Sequence, residues 1–207
     1  MKHNTLSGLY VITDPALIPA GTSAVVHAVQ EALLGGAKLV QYRNKTASMA
    51  QQLAEAKALR ALTREYEATF IINDSLELCL SCDADGLHVG QSDGNFSKLR
   101  NRLGSRILGV TCHDSMSLAN QAIEQGADYC AFGAVFPSPT KPQAKPCTLA
   151  TLKEASKLPV PVCAIGGITT SNAPEILKQG VNMMAVISGV FGQPSIRASA
   201  HAFASFF

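Results

Sequence analysis

The feature that most constrains this chain is an alternation that never lapses: short β-rich apolar runs separated by segments of helical periodicity, eight times over. The runs cover residues 8–13, 37–42, 69–72, 86–89, 106–110, 129–132, 160–165 and 183–187. Between them, apolar positions recur at helical spacing over 22–34, 48–67, a short segment ending near 82, 96–103, 115–124, 148–157 and 171–178. A last helical segment, 194–207, follows the eighth run, and Ser48 is the expected cap of the second helix. Runs that are apolar at nearly every position belong to strands buried on both faces, as in parallel sheets covered by helices. The expected class is α/β, and eight such units in 207 residues fit one domain, residues 1–207, folded as a compact (β/α)8 TIM barrel. An open doubly wound sheet alternates in the same way. The barrel is preferred because polar residues follow the carboxyl end of nearly every run, which suits a ring-shaped site better than a linear crevice.

With 17 basic and 15 acidic residues the formal net charge is +2, too small for a global field that attracts nucleic acid or a membrane surface. Any anion site must therefore be local. Residues 1–7 lack the apolar core of an export signal, and no apolar run approaches the roughly 18 residues of a membrane span, so the expectation is a cytoplasmic protein. In that compartment the six cysteines read as reduced, mostly packed thiols. Cys79 and Cys82 form a C-x-x-C, but a zinc site would need further ligands.

Chemistry gathers after the strands. The stretch 127–141, ADYCAFGAVFPSPTK, starts as a buried strand and breaks at Gly133 into a loop carrying Ser138, Thr140 and Lys141, hydroxyls and a cation suited to phosphate. Gln41, Arg43 and Lys45 occupy alternate positions as the second strand ends, so all three can face one site; a solvated basic edge is the plainer reading. Asp74 and Asp93 follow strands three and four. Aspartate there is often a helix cap, but beside so many cations the pair suits Mg2+, which takes one or two carboxylates and completes its shell with water and phosphate oxygens. Gly166-Gly167 and Ser188-Gly189 follow strands seven and eight, where barrels commonly bind a phosphate through backbone N–H groups. His88 reads as a packed strand residue and His113, beyond strand five, as a weak acid–base candidate.

Taken in order, Gln41-Tyr42-Arg43-Asn44-Lys45, Asn73-Asp74, Gly90-Gln91-Ser92-Asp93, Gly109-Val110-Thr111, Phe132-Gly133 through Thr140-Lys141, Ala164-Ile165-Gly166-Gly167-Ile168 and Ala185-Val186-Ile187-Ser188 resemble the thiamine-phosphate synthase family. The resemblance runs from about residue 9 to 189. It implies a transferase that joins an aminopyrimidine methyl diphosphate to a thiazole phosphate, giving thiamine phosphate and diphosphate. Gln41, Arg43, Lys45, Asn73, Thr111 and Lys141 would bind the diphosphate substrate, with Arg43, Lys45 and Lys141 stabilising its departure. Asp74 and Asp93 would hold Mg2+, and Ser138, Thr140, Gly167, Ile187 and Ser188 would bind the thiazole phosphate. The implied partners are these two small molecules, with no nucleic acid and no membrane; a homo-oligomer is left open. Thr111, Ser138 and Asn44 stand where the family often has Ser, Thr and an acid, and none of these departures removes a charge from the proposed diphosphate clamp.

Two other readings use the same barrel. A Schiff-base aldolase would need Lys141 desolvated beside a carbonyl carbon, whereas it follows a run of hydroxyls well past its strand. Related thiazole tautomerases or a regulatory phosphate-binding barrel would resemble the chain around His113, but they typically lack the set Asp74, Asp93 and Lys141 present here.

Overall fold

The computed structural model describes residues 6–137 and 146–207. Eight parallel strands close into a barrel in sequence order: β1 (Gly8–Ile12), β2 (Leu39–Tyr42), β3 (Thr69–Asn73), β4 (Gly86–Val89), β5 (Ile107–His113), β6 (Tyr129–Gly133), β7 (Val162–Ile165) and β8 (Met183–Val186). Closure is made by β8, whose Met183 to Val186 pair with Gly8 to Val11 of β1, so no strand edge is left and the open-sheet alternative is excluded. The crossovers carry α1 (Thr22–Leu34), α2 (Met49–Glu65), α3 (Leu76–Ser81), α4 (Phe96–Leu103), α5 (Met116–Glu124), α6 (Leu149–Ala155) and α7 (Ala173–Leu177). Two helices, α8 (Ser188–Phe191) and α9 (Ile196–Ala204), follow β8. Ser48 caps α2 as expected, its hydroxyl accepting from the Gln51 N–H.

Where the elements differ from the sequence reading, local chemistry explains it. β5 continues past Val110 through a register shift between Thr111 and His113, so His113 ends the strand, exposed, at φ 54°. β7 starts at Val162, because Pro161 has no N–H and contributes only its carbonyl, which accepts from Cys130 N. β8 stops at Val186 because Ile187 already caps α8, a single turn too short to leave a periodic signal.

The strands bury both faces, and the two faces form separate cores. Outward side chains such as Val11, Val40, Ile72 and Leu87 pack beneath the helices in one large cluster. Inward ones, including Tyr10, Leu39, Ile71, Tyr129 and Met183, fill the barrel in a second. Its largest members, Tyr10 and Tyr129, meet edge to face with ring centroids 6.2 Å apart. Space for the Tyr129 ring comes from β5, where a Cβ on Gly109 would overlap it. All six cysteines are buried free thiols; Cys79 Sγ donates to the Gly86 carbonyl, and burial pushes its pKa up to about 12. Among the described residues no helix is long and apolar enough to cross a membrane.

Gly109→Ala tests the filling of the barrel. A fully buried, rigid phenol cannot swing aside, so the added methyl should cost about 1–3 kcal/mol, the usual range for overpacking. Equilibrium urea unfolding measures it, and an unchanged midpoint would contradict this packing account.

Candidate active site

The second strand builds one wall of the site by dividing its residues between two sides. Tyr42 OH and Asn44 Nδ2 donate to Glu55 Oε2 of α2 at 2.7 and 3.3 Å, and Gln51 Nε2 donates to Oε1 at 2.7 Å. Glu55 is only 3% exposed, and these donors let a carboxylate stay buried there. Asn44 also accepts from Thr46 N and Ala47 N, tying down the loop that carries Lys45. An acid at position 44 could not donate to Glu55, which accounts for the amide. From the other side, Thr13 N donates to the Gln41 carbonyl, while the Thr13 hydroxyl donates to the Arg43 carbonyl and accepts from Arg43 N. The backbone that presents Gln41 and Arg43 is thus fixed by β1.

Arg43 lines a hollow of about 500 Å³ between the β1 and β2 loops, shared with Thr13, Asp14 and Tyr42. Lys45 lines a neighbouring one of about 330 Å³ with Asn73, Asp74 and Ser75. There Lys45 Nζ lies 3.0 Å from Asp74 Oδ2. Asp74 adopts φ 61°, a left-handed conformation that Asp tolerates better than most residues, and its N–H donates to the His88 carbonyl at 2.8 Å. Asp93, exposed, accepts the Gly90 N–H through Oδ2 at 2.6 Å. Both acids supply the hard oxygen ligands that Mg2+ prefers. No group of three or more His, Cys, Asp or Glu gathers as a metal cluster among the described residues, so a metal here would draw the rest of its shell from water and substrate oxygens.

A third hollow, about 370 Å³, lies over β7 and β8 and is lined by Gly166, Gly167, Ile187, Ser188, Gly189 and Pro137 among others. Gly166 and Gly167 both take positive φ, 105° and 62°. A Cβ on Gly167 would lie 2.6 Å from the Pro137 carbonyl oxygen and 2.7 Å from Phe136 Cβ, so this glycine also permits the β6 loop to cross the β7 loop. That crossing is hydrogen-bonded: Val135 N and Phe136 N donate to the Ile165 and Gly166 carbonyls, and Cys147 N donates to the Ala134 carbonyl. Ser138, Thr140 and Lys141, between these anchored ends, lie outside the described residues.

Gln41 is placed differently from its neighbours. It is 2% exposed and lines none of the three hollows, and its Nε2 donates to Tyr10 OH. His88, as its strand position suggested, is hydrogen-bonded within the barrel, to Tyr129 OH and to Thr111 Oγ1. Thr13, Glu55, Tyr10 and Tyr129 were not singled out in the sequence. Thr13 left one signal, a hydroxyl residue ending a β-rich run just before Asp14-Pro15.

A closed barrel with cations, amides and carboxylates at the carboxyl ends of its strands is the architecture of a (β/α)8 enzyme. The chain belongs to the thiamine monophosphate synthase family, whose model matches residues 9–190. It is 49% identical to the thiamine-phosphate synthase of Alcanivorax borkumensis over 195 residues, covering 93% of this chain and 89% of that one. It is 45% identical to the enzyme of the same name from Marinobacter nauticus, covering 95% and 89%. Among solved structures, thiamine phosphate pyrophosphorylase from Pyrococcus furiosus superposes with a TM-score of 0.89 at 37% identity, covering 97% of this chain and 95% of that one.

Glu55→Ala probes how the β2 loop is held. It leaves the Tyr42, Asn44 and Gln51 donors without their acceptor, and an unsatisfied buried group costs about 1–3 kcal/mol. The variant should unfold at lower urea concentration and bind diphosphate more weakly, as isothermal calorimetry would measure. Wild-type values for both would show that Glu55 does not organise the loop.

Proposed function

We propose that this chain is the transferase that joins aminopyrimidine methyl diphosphate to thiazole phosphate, releasing diphosphate and forming thiamine phosphate. The observation that carries this reading is the family match across residues 9–190, which includes every proposed substrate and metal residue. The competing aldolase and tautomerase readings draw no comparable support from the relatives.

The bond from the pyrimidine methylene carbon to the diphosphate oxygen breaks with its electron pair leaving on diphosphate. The ring amino group feeds density toward the electron-poor methylene, and the thiazole nitrogen lone pair then forms the new C–N bond. That nitrogen carries no proton, so no general base is needed. The protein's task is to stabilise negative charge as it grows on the leaving group. Arg43, Lys45 and Lys141 serve that task, while Asn73 and Thr111 hydrogen-bond the same substrate. Unit charges about 4 Å apart at an effective dielectric near 20 attract by about 4 kcal/mol, enough for each cation to matter. Asp74 and Asp93 would hold Mg2+, which when bound supplies further positive charge to the diphosphate oxygens. The Lys45–Asp74 pair suits this exchange of partners: a largely solvated ion pair is worth only about 0–1 kcal/mol, so Lys45 would turn to phosphate and Asp74 would be released to hold the metal at little cost. Gly167, Ile187 and Ser188 would receive the acceptor phosphate in the hollow over β7 and β8, with Ser138 and Thr140 contributing from the β6 loop.

Incubating the protein with both phosphorylated precursors and Mg2+ should yield thiamine phosphate, detected by chromatography; its absence would overturn the reading. Excess chelator should abolish turnover, and Asp74→Asn should shift the Mg2+ dependence to higher concentration. Full activity in chelator would remove the metal from the account. Lys141→Ala should lower kcat by about 10²–10³, or roughly 3–4 kcal/mol, with a smaller change in KM, as expected of a charge used mainly in the transition state. Lys141→Arg should restore only part of the rate, because a planar fork does not replace a compact ammonium. A wild-type kcat for Lys141→Ala would exclude that role.

A further inference from the structure

The two glycine carbonyls of the β7 loop are both taken, each by a different element. Phe136 N of the β6 loop donates to the Gly166 carbonyl at 3.1 Å, and Asn172 Nδ2 donates to the Gly167 carbonyl at 3.0 Å. Only the second bond is made by a side chain. The Asn172 amide has one possible orientation, because its other end, Oδ1, accepts the Thr169 N–H at 2.8 Å; a carbonyl is met only by a donor and an N–H only by an acceptor. Asn172 stands half-buried just before α7 and does not line the hollow over β7 and β8. It has no role in the reaction so far described.

Fixing a carbonyl also fixes the N–H across the same peptide. The unit is planar and trans, so its N–H points opposite to its C=O. The Gly166 carbonyl faces Phe136 and the Gly167 carbonyl faces Asn172, and neither of those partners lines the hollow. The N–H groups of Gly167 and Ile168 therefore point the other way, and both of these residues do line it. Among the described residues neither N–H has an acceptor. Successive N–H groups left open by a turn make an anion-binding concavity, and positive φ at Gly166 and Gly167, 105° and 62°, permits the turn. A Gly167 carbonyl released to rotate would bring its own oxygen toward the hollow and oppose a phosphate there.

We propose that Asn172 is a positioning residue: by holding the Gly167 carbonyl away from the hollow, it presents the Ile168 N–H, beside that of Gly167, to the acceptor phosphate. Ile168 thus joins the site through its backbone although its side chain, 5% exposed, belongs to the outer core. The identity of the phosphate carrier rests on the proposed transferase reading; the two open N–H groups and their dependence on Asn172 rest on the geometry. A residue that only capped the turn would behave differently. Capping needs just the oxygen that accepts the Thr169 N–H, and Asp supplies that as well as Asn.

Two substitutions separate these roles. Asn172→Asp keeps the acceptor for Thr169 and loses the donor to Gly167, whereas Asn172→Ala loses both and adds no charge. Each should raise the thiazole phosphate KM about tenfold, as loss of one hydrogen bond to an anion would, while the diphosphate substrate's KM moves less than about twofold. Wild-type kinetics for Asn172→Asp, or equal shifts in both KM values, would reduce Asn172 to a structural cap and overturn the proposal. Titrating nitrogen-15-labelled protein with inorganic phosphate tests the geometry without the reaction. The Gly167 and Ile168 amide protons should move downfield together in wild-type protein, with affinity about tenfold lower in both variants. Unmoved amides, or an affinity that the substitutions leave unchanged, would overturn it. Urea unfolding confirms that the variants fold. If wild-type protein forms no thiamine phosphate, the transferase reading fails, whereas the phosphate titration still decides what Asn172 positions.

Discussion

Closing a parallel sheet on itself turns the two-residue alternation of every strand into a division between a sealed interior and a helix-covered exterior, and the site inherits that division. On β2 the inward series runs from Leu39 in the barrel core, through the buried Gln41, to Arg43 at the hollow between the β1 and β2 loops. The outward series, Val40 and Tyr42, packs under the helices, and Tyr42 and Asn44 end on the buried carboxylate of Glu55. One register shift of β2 would exchange these roles, sending the Gln41 amide into the helix layer and the Tyr42 phenol into the barrel. The pairing of Tyr10, Val11 and Ile12 with Leu39, Val40 and Gln41, completed by the Thr13 bonds to Gln41 and Arg43, prevents that slip.

The interior must then be filled, and here it is filled partly with polar groups. Two phenols and an imidazole occupy a region that many barrels give to aliphatic side chains, which is tolerable because each polar group finds a partner in the next. Gly109 makes the arrangement possible on β5 by yielding its side-chain volume to Tyr129. Core packing and the residues that end the inner strands are consequently one structure: Tyr10 and His88, which help fill the barrel, also hydrogen-bond Gln41 and Thr111.

Much of the fold could be read in the sequence because buried parallel strands and amphipathic crossovers leave strong periodic signals, and all eight strands lie where their apolar runs placed them. Boundaries were less legible where a specific bond decides them, as at Thr111 to His113, or where an element is one turn long, as with α8. For the candidate site, charged and glycine residues after strands were conspicuous, whereas their supports were not. Glu55 lies in the middle of a helix and looks like any solvated acid, and Tyr129 looks like any core aromatic. Their importance depends on partners 13 or 41 residues away, a separation that no local pattern encodes. Arg43 and Lys45, two positions apart, also line separate hollows, a division that alternation alone did not anticipate.

The account joins these hollows into one two-substrate site, with diphosphate over the ends of strands two to five and the acceptor phosphate over strands seven and eight. A crystal structure with Mg2+, diphosphate and thiazole phosphate bound tests that most directly. The account predicts diphosphate oxygens within hydrogen-bonding distance of Arg43 and Lys45, Lys45 Nζ released from Asp74, and the thiazole phosphate against Gly167 and Ser188. Diphosphate bound elsewhere, with Lys45 Nζ still 3.0 Å from Asp74 Oδ2, would contradict it.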